Sequence, residues 1–248
     1  MKIGICQYNQ IWEDAAANLE KISGLVKNIP RVDLLVFPEM TLSGFSMSSA
    51  ASTLRDDHHL FFAELARTKQ AHVVYGGVEE GRNCLFQVSR EGVLIGHYAK
   101  RHLFALDGES ESYLGGSETS ILHLDEATFV PAICYDIRFA YQLWAQAPEA
   151  SAAIVIANWP LQRQSHWETL LRARAIENQM FVIACNRVGS SPRQNYGGGS
   201  MVVSPLGEVI VTSDLEEVLF CEIDLAEVGR IREKLPFLKD RQTSGFTR

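Results

Sequence analysis

The chain has 248 residues, of which 46% are hydrophobic, so it is long enough to bury a large core. Its formal net charge of −7 argues against nucleic acid or an anionic membrane surface as the main partner. We therefore expect the partner to be a small molecule.

The N-terminal residues, the apolar runs and the cysteines indicate the cellular compartment of the protein. Residues 1–8 (MKIGICQY) have the pattern of a strand, without an apolar signal-peptide segment or a small-residue cleavage site. The longest apolar runs, such as residues 152–157, are far shorter than the roughly 20 residues that a membrane-spanning helix needs. The five cysteines are odd in number and widely scattered, which suggests neither a disulfide framework nor a zinc ribbon. These features predict a cytoplasmic protein with no membrane segment.

Short apolar strands alternate with amphipathic helices along the whole chain, and no linker or repeat interrupts them. The pattern predicts strands at residues 2–7, 33–37, 72–79, 84–88, 93–98, 119–124, 128–134, 153–157, 181–186, 200–203, 209–212 and 218–223. It predicts helices at residues 12–27, 57–69, 140–146, 166–179 and 225–233. A single domain over residues 1–248 is expected.

The number of strands and the turns between them predict the architecture. A dozen strands is too many for one open sheet of usual size, which favours two packed sheets. Short turns at residues 80–83 (EGRN) and 90–92 (REG) predict hairpins, so the sheets should be mixed rather than purely parallel. The expected fold is an α/β four-layer α-β-β-α sandwich, in which two mixed β-sheets are flanked by helices.

Polar residues follow four of the predicted strands. Glu39, Lys100 and Cys134 each come at a strand end, and residues 158–160 (NWP) follow another strand. Ligands of α/β folds bind outside the carboxyl ends of the strands, so these positions can converge on one pocket. Taken alone, each has an ordinary explanation as a turn glutamate, a surface lysine or a buried cysteine.

Cys134 is the most informative of these residues. It follows the apolar run 127–133 (ATFVPAI) and precedes the turn-like stretch 135–138 (YDIR), which predicts a thiol at a strand-to-helix junction. The free N–H groups and dipole of a helix N-terminus favour a thiolate and can hold an oxyanion. Attack on an amide carbonyl needs a thiolate, a proton acceptor and positive charge near the carbonyl oxygen. Cys134, Glu39 and Lys100 are candidates for these roles.

At these positions the sequence resembles the nitrilase, or carbon–nitrogen hydrolase, superfamily. The main matching segments are residues 36–39 (VFPE), 98–104 (YAKRHLF) and 134–139 (CYDIRF). Supporting segments are residues 158–160 (NWP), 172–179 (RARAIENQ), 185–189 (CNRVG) and 236–241 (PFLKDR). Their order and the separations of 61 residues from Glu39 to Lys100 and 34 from Lys100 to Cys134 also suit the family.

The resemblance implies a catalytic mechanism. Glu39 would take the proton of Cys134, and the resulting thiolate would attack the substrate carbonyl. Lys100 and the backbone N–H of Tyr135 would stabilise the oxyanion, and a thioester acyl-enzyme would then be hydrolysed. The family's subunits commonly pair through helices on one face, which implies a homodimer.

The family often has a second glutamate that positions the lysine and the substrate, and the sequence offers Glu109 and Glu111 for it. In the related pattern this glutamate lies seven residues before the glycine that ends the loop. That spacing to Gly116 selects Glu109. A one-turn misalignment would select Glu111 instead, so Glu111 remains the alternative.

Within the family, the sequence looks most like small bacterial ω-amidase-like members. Such enzymes hydrolyse the distal amide of 2-oxo dicarboxylic acid monoamides such as 2-oxoglutaramate or 2-oxosuccinamate, which carry a carboxylate. Arg138 is either a counter-ion for that carboxylate or a stabiliser of local structure. Trp159 is either an apolar wall of the site or part of the core. Ala105 and Ala140 replace the aspartate and proline that are commonest in the family, which weakens the subfamily assignment.

The same residues are compatible with other functions. A nitrilase, an N-carbamoyl hydrolase or another amidase would keep the chemistry, and a non-catalytic binding or assembly module would keep only the fold. The pair His58 and His59 lacks H-E-x-x-H spacing, and no glycine-rich nucleotide fingerprint is present. Ser200 lacks the final glycine of a G-x-S-x-G elbow, because Val202 occupies that position. We expect neither a metal nor a cofactor.

Overall fold

Fourteen β-strands build the centre of the computed structural model, which describes residues 1–242. The strands are β1 (Lys2–Gln7), β2 (Leu34–Val36), β3 (His72–Glu79), β4 (Arg82–Val88), β5 (Leu94–Ala99), β6 (Leu122–Leu124), β7 (Ala127–Ile133), β8 (Ala152–Ile156), β9 (Phe181–Cys185), β10 (Val188–Ser190), β11 (Asn195–Gly197), β12 (Ser200–Val203), β13 (Val209–Ser213) and β14 (Glu217–Glu222). Residues 243–248 of the predicted domain lie outside the described residues.

Two six-stranded sheets contain most of these strands. The first sheet has the order β14-β1-β2-β3-β4-β5, and the second has the order β13-β12-β9-β8-β7-β6. Strands β1 to β3 are parallel in the first sheet, and β7 to β9 are parallel in the second. The outer strands of both sheets pair antiparallel. Both sheets are therefore mixed, as the hairpin turns predicted.

Helices cover the outer faces of the sheets. The described α-helices are α1 (Ala15–Leu25), α2 (Ser49–Ser52), α3 (Asp56–Lys69), α4 (Glu109–Ser112), α5 (Ala140–Trp144), α6 (Gln164–Asn178) and α7 (Ala226–Lys234). Short 3-10 turns occur at Ala105–Asp107, Cys134–Arg138, Ala147–Glu149, Leu161–Arg163 and Phe237–Asp240. Within residues 1–242, no helix combines the length and apolar character needed to cross a membrane.

The alternation of side chains along the central strands produces the layers. Leu34 of β2 lies in the core between the two sheets, whereas Leu35 faces the other way and packs with Phe62 of α3. On the second sheet, Val155 of β8 faces outward and packs with Trp167 of α6. Both faces of these strands are buried, which explains their continuous apolar sequences. The predicted four-layer α-β-β-α sandwich is confirmed.

Local capping sets the helix ends where they differ from the sequence prediction. The side chain of Asp14 accepts a hydrogen bond from the N–H of Ala17 at 3.0 Å, so α1 begins at Ala15 and not at residue 12. Helix α6 is followed by Gln179 in the left-handed region with φ of 47°, which ends the helix one residue before the predicted position.

The hairpin β10–β11 was not predicted. Each of its strands has three residues, and turn-forming residues surround both, so neither produces a clear alternating pattern. Its second strand is tied to the core by a contact in which the guanidinium of Arg187 lies 4.4 Å from the ring centre of Tyr196. Tyr196 of β11 and Gln194, the residue just before β11, line the candidate site described next.

Candidate active site

Strand ends from both sheets meet at one site. Glu39 follows β2 of the first sheet, whereas Cys134 and Asn158 follow β7 and β8 of the second. The backbone N–H of Asn158 donates to Oε2 of Glu39 at 2.9 Å, which links the two sheets. Lys100 directly follows β5, and its Nζ atom also reaches Glu39. The four strand ends singled out in the sequence thus lie around one site.

Lys100 lies between two carboxylates in the interior. Its Nζ atom donates to Oε1 of Glu39 at 2.8 Å and to Oε1 and Oε2 of Glu109 at 2.9 and 2.8 Å. All three side chains are fully buried. Burial alone would lower the pKa of Lys100, but the charges of Glu109 and Glu39 outweigh it and raise that pKa above its ordinary value. Lys100 is therefore positively charged at neutral pH.

Asn83 connects the two carboxylates and was missed in the sequence. Its Nδ2 atom donates to Oε1 of Glu39 and to Oε1 of Glu109, both at 2.8 Å. The backbone N–H of Phe104 donates to the other oxygen of Glu109 at 2.6 Å. These donors stabilise the two negative charges that one lysine cannot neutralise. The sequence carries no clear signal for it, because residue 83 ends the predicted turn 80–83 and only the structure places it in β4.

The two candidates for the second glutamate have different environments. Glu109 begins α4 and is fully buried against Lys100, whereas Glu111 is exposed to solvent. The short loop from Lys100 to Glu109 contains one 3-10 turn, Ala105–Asp107, which turns the chain back toward the lysine. This geometry favours Glu109 for any role that requires contact with Lys100.

Cys134 starts the 3-10 turn Cys134–Arg138 rather than an α-helix. Its φ is 48°, a left-handed conformation that is uncommon for a residue with a side chain. The expected bias toward thiolate is wrong. Burial, followed by the charge of Glu39, raises the pKa of the thiol well above its ordinary value, and the opposing effects of Lys100 and the N–H of Asn158 are smaller. The resting sulfur is therefore a protonated thiol, which needs a base to become a nucleophile.

A pocket over Cys134 contains the three residues predicted to bind substrate, Tyr135, Arg138 and Trp159. The guanidinium of Arg138 lies 4.7 Å from the ring centre of Trp159, and its Nη2 atom lies 3.3 Å from Nδ1 of His166. Trp159 is only 2% exposed and belongs to the outer core of the second sheet. Both sequence interpretations of Trp159 therefore apply, since it packs in the core and also forms a wall of the pocket.

Arg163 lines the same pocket and was not identified from the sequence. Its guanidinium lies 5.2 Å from the ring centre of Phe104, and its carbonyl accepts a hydrogen bond from Nε1 of Trp159 at 2.8 Å. Within the described residues, neither Arg138 nor Arg163 pairs with a carboxylate. Two unpaired guanidinium groups in one pocket favour an anionic ligand.

Asn158 offers a hydrogen-bond acceptor in this pocket. Its N–H and Nδ2 donate to Oε2 and to the carbonyl of Glu39, respectively. Its Oδ1 atom is buried and has no hydrogen-bond partner in the part of the chain that the structure describes. A buried acceptor without a partner is unfavourable, so a ligand N–H group would stabilise it. Over residues 1–242, no group of His, Cys, Asp and Glu side chains is arranged to hold a metal ion.

Comparison with known proteins identifies the family. The model of the carbon–nitrogen hydrolase family matches residues 2–233. The chain is 35% identical to omega-amidase YafV of Escherichia coli K12, over 97% of this chain and 96% of that protein. It is 33% identical to the 2-oxoglutaramate amidase of Bacillus subtilis 168, over 96% of each chain. The chain belongs to the carbon–nitrogen hydrolase family, as the sequence resemblance predicted.

A solved structure supports the same assignment. A CN-hydrolase superfamily protein from Xanthomonas campestris, which carries an arsenic adduct in its active site, superimposes with a TM-score of 0.92. The two proteins are 30% identical, and the superposition covers 100% of this chain and 99% of the other. The whole described architecture is therefore that of the family.

Proposed function

We propose that this protein is an amidase that hydrolyses the ω-amide of a small 2-oxo dicarboxylic acid monoamide, such as 2-oxoglutaramate or 2-oxosuccinamate, and releases ammonia. The observation that carries the proposal is the thiol of Cys134 in the same pocket as Asn158, whose N–H donates to Glu39 of the buried Glu39, Lys100 and Glu109 group. The relatives named for ω-amidase and 2-oxoglutaramate amidase activity, which match over almost the full length, support this substrate class.

In the first half of the reaction, Glu39 removes the proton from Cys134 as the sulfur attacks the amide carbonyl carbon. A base is required because the pKa of the resting thiol is raised. The carbonyl oxygen becomes negative and is stabilised by the charge of Lys100 and the backbone N–H of Tyr135. Glu39 then gives its proton to the amide nitrogen, the carbon–nitrogen bond breaks, and ammonia leaves a thioester on Cys134.

In the second half, Glu39 takes a proton from a water molecule, whose oxygen attacks the thioester carbonyl. The carbon–sulfur bond breaks, Glu39 returns the proton to the sulfur of Cys134, and the carboxylic acid product leaves. Glu109 keeps Lys100 in place through both of its carboxylate oxygens during these steps. The acceptor Oδ1 of Asn158 is suited to bind the N–H of the amide that reacts.

The pocket supports a substrate with a carboxylate at the end opposite the amide. Arg138 and Arg163 both line it, and their guanidinium groups rest on aromatic rings rather than on protein carboxylates. Arginine binds carboxylates through paired hydrogen bonds, so an anionic substrate would gain from both groups. Trp159, which the sequence also predicted to bind substrate, supplies an apolar surface for the carbon chain of the substrate.

A substrate panel tests the reaction class. Pure protein is incubated with ω-amides of 2-oxo acids, ordinary amides, nitriles and N-carbamoyl compounds while ammonia is measured. The proposal predicts the highest kcat/KM for the ω-amides of 2-oxo acids. Faster ammonia release from nitriles or N-carbamoyl compounds would contradict the substrate class, and a folded protein that hydrolyses none of them would favour a binding module.

Two substitutions test the mechanism. Cys134→Ala should abolish ammonia release without loss of fold, whereas Cys221→Ala, which changes a partly buried cysteine of β14, should keep wild-type activity. Glu39→Gln should also lower ammonia release strongly, because the attack of Cys134 then lacks its base, and peptide mass mapping after incubation with substrate should detect little acyl adduct on the peptide that contains Cys134. Undiminished activity of Cys134→Ala would refute the proposed mechanism.

We also propose a cytoplasmic homodimer with a single domain and no bound cofactor. The family match over residues 2–233 supports the single domain. Apolar side chains exposed on and beside the outer helices, among them Ile176 at 51% and Leu206 at 53%, support a subunit interface there. The free thiols of all five cysteines are compatible with a reducing compartment. Light scattering should give the mass of a dimer for the wild type and of a monomer for Ile176→Asp.

A further inference from the structure

Asp136 lies two residues after Cys134 and has no step in the proposed mechanism, yet its carboxylate accepts hydrogen bonds at both oxygens. Its side chain is fully buried and accepts four hydrogen bonds. Oδ2 accepts from the hydroxyl of Tyr98 at 2.7 Å and from the N–H of Ile133 at 3.0 Å. Oδ1 accepts from Nδ1 of His102 at 2.7 Å and from the N–H of His102 at 3.0 Å.

These donors come from both sides of the site. Tyr98 lies two residues before Lys100 and His102 lies two residues after it, whereas Ile133 directly precedes Cys134. One carboxylate therefore joins the segment that carries the lysine to the turn that carries the thiol. The side chain of Asp136 does not line the substrate pocket, so it acts on the reacting groups only through this connection.

Further contacts hold the donors in place. Nε2 of Gln142 donates to the hydroxyl of Tyr98 at 2.8 Å. The ring of His102 stacks on Phe139 with 4.0 Å between centres, and its Nε2 atom bonds the hydroxyl of Tyr141. Tyr141 is 50% exposed, so the chain of bonds runs from the buried carboxylate to the surface of α5.

The turn at Cys134 needs such support. With φ of 48°, Cys134 occupies a left-handed conformation that is unfavourable for a residue with a side chain. The 3-10 turn that follows has only five residues and supplies few backbone hydrogen bonds of its own. The bond from Ile133 to Asp136 closes this turn, and the bonds from Tyr98 and His102 fix it relative to Lys100.

We propose that Asp136, with Tyr98 and His102 as its partners, is a positioning residue that fixes the thiol of Cys134 relative to Lys100. The inference rests on the proposed thiol chemistry, but it concerns the geometry of the site and not the choice of substrate. A looser turn lowers the rate of the chemical step and leaves substrate binding by the arginines in place. It also moves the thiol away from the buried charges of Glu39, Lys100 and Glu109.

The titration of Cys134 reports this geometry directly. The charged and titratable groups that face the thiol are Glu39, Lys100, Glu109 and Tyr196. The carboxylates raise the pKa of the thiol and Lys100 lowers it. A variant that moves Cys134 away from this group of charges, whose net effect raises the pKa of the thiol, should therefore titrate at lower pH and alkylate faster than the wild type at a fixed pH.

The experiment measures the rate at which iodoacetamide alkylates the peptide containing Cys134 at pH 9, and kcat and KM for one amide. The variants are Asp136→Asn, Tyr98→Phe and Tyr141→Phe. The matched control is Tyr75→Phe, because the buried hydroxyl of Tyr75 bonds Nδ1 of His59 at 2.7 Å in the outer core of the first sheet.

Tyr98→Phe should lower kcat about tenfold, the effect of one hydrogen bond of ordinary strength, with KM within about twofold of the wild type. Asp136→Asn should lower kcat by about 100-fold or more, and Tyr141→Phe by less than Tyr98→Phe. In each case alkylation of Cys134 should be faster than in the wild type, whereas Tyr75→Phe should leave both the alkylation rate and kcat unchanged.

Folding is checked in every variant by circular dichroism and thermal unfolding. If Asp136→Asn does not fold, Tyr98→Phe and Tyr141→Phe still decide the question. Folded variants in which Cys134 alkylates no faster than in the wild type, or whose loss is entirely in KM, would overturn the inference. A wild type that alkylates at Cys134 but hydrolyses no amide would refute the proposed function alone, because the alkylation series would still test the role of Asp136.

Discussion

The Nζ atom of Lys100 lies 2.8 Å from Oε1 of Glu39, and neither side chain is exposed to solvent. A buried ion pair of this kind is stable only if the remaining charges and hydrogen bonds are also satisfied. Here a second carboxylate, Glu109, gives the buried group a net charge of −1, and the side-chain amide of Asn83 donates to both carboxylates. The pair is thus part of a group of four residues, and its removal affects stability as well as chemistry.

Lys100→Met should destabilise the protein strongly as well as inactivate it. The substitution leaves Glu39 and Glu109 buried together without a cation, and breaking a buried pair in this way typically costs about 3–5 kcal/mol. The free energy of unfolding should fall by that amount in urea denaturation. Ammonia release should become undetectable even at temperatures where the variant remains folded.

A double variant separates these two effects. Lys100→Met combined with Glu109→Gln removes one of the two uncompensated charges, so a large part of the lost stability should return. Activity should not return, because the positive charge at the carbonyl oxygen is still missing. Equal stability of the single and double variants would contradict a dominant role for charge in this site.

Gly76 of β3 is expected to be intolerant of any side chain. A Cβ atom there would lie 2.8 Å from the backbone nitrogen of Met40 and 3.1 Å from Cα of Glu39. The N–H of Gly76 also donates to Oγ1 of Thr41 at 2.8 Å, so the turn after Glu39 rests directly on this strand. Gly76→Ala should lower the free energy of unfolding by about 1–3 kcal/mol and reduce kcat by displacing Glu39.

Gly24 of α1 provides the control for this prediction. A Cβ atom at Gly24 meets no atom within 4 Å, and the position is helical. Gly24→Ala should therefore raise the free energy of unfolding by up to about 1 kcal/mol, with unchanged kcat. Equal effects of the two substitutions on the urea midpoint would refute the steric argument at Gly76.

Apolar patterns and strand ends made most of the fold predictable. The predicted strands at residues 72–79 and 200–203 have the same bounds as β3 and β12, because buried strands with clear turn boundaries carry a strong local signal. The convergence of Glu39, Lys100 and Cys134 followed from their places at strand ends. Strand bounds and polar residues at strand ends can both be recognised within a short stretch of sequence.

Features set by contacts between distant segments were not predictable in this way. The left-handed conformation of Cys134 depends on donors from Tyr98 and His102, more than 30 residues earlier. The raised pKa of its thiol depends on burial and on Glu39, so the local helix-terminus argument predicted the wrong direction. Arg163 had no distinguishing local pattern, and only the folded chain places it in the pocket.

Burial of Cys84 predicts a loss of stability at alkaline pH. Cys84 of β4 is 2% exposed, and burial raises the pKa of its thiol from the ordinary 9.0 to about 12. Above pH 9 the unfolded chain loses this proton and the folded chain keeps it, so the unfolded state binds fewer protons and stability falls as pH rises. The urea midpoint should decrease steadily from about pH 9 toward pH 12.

Two cysteine variants make this pH effect specific. Cys84→Ala should flatten the decrease of the urea midpoint above pH 9, whatever its stability at neutral pH. Cys221→Ala should flatten it less, because burial raises the pKa of Cys221 only to about 11. An unchanged slope in Cys84→Ala would show that other groups cause the alkaline loss.

Arg163 should determine the preference for substrates with a carboxylate. We expect Arg163→Gln to lower the ratio of kcat/KM for 4-carbamoylbutanoate to kcat/KM for the neutral pentanamide by about 10- to 100-fold, the effect of one charge-assisted hydrogen bond. Arg138→Gln should act in the same direction, and the two losses should not be additive if both arginines bind one carboxylate. Arg230→Gln, which changes an exposed arginine paired with Asp224, should leave the ratio unchanged. If the ratio survives in both pocket variants, the anion is bound elsewhere, and the unpaired guanidinium groups of the pocket serve packing against Phe104 and Trp159 alone.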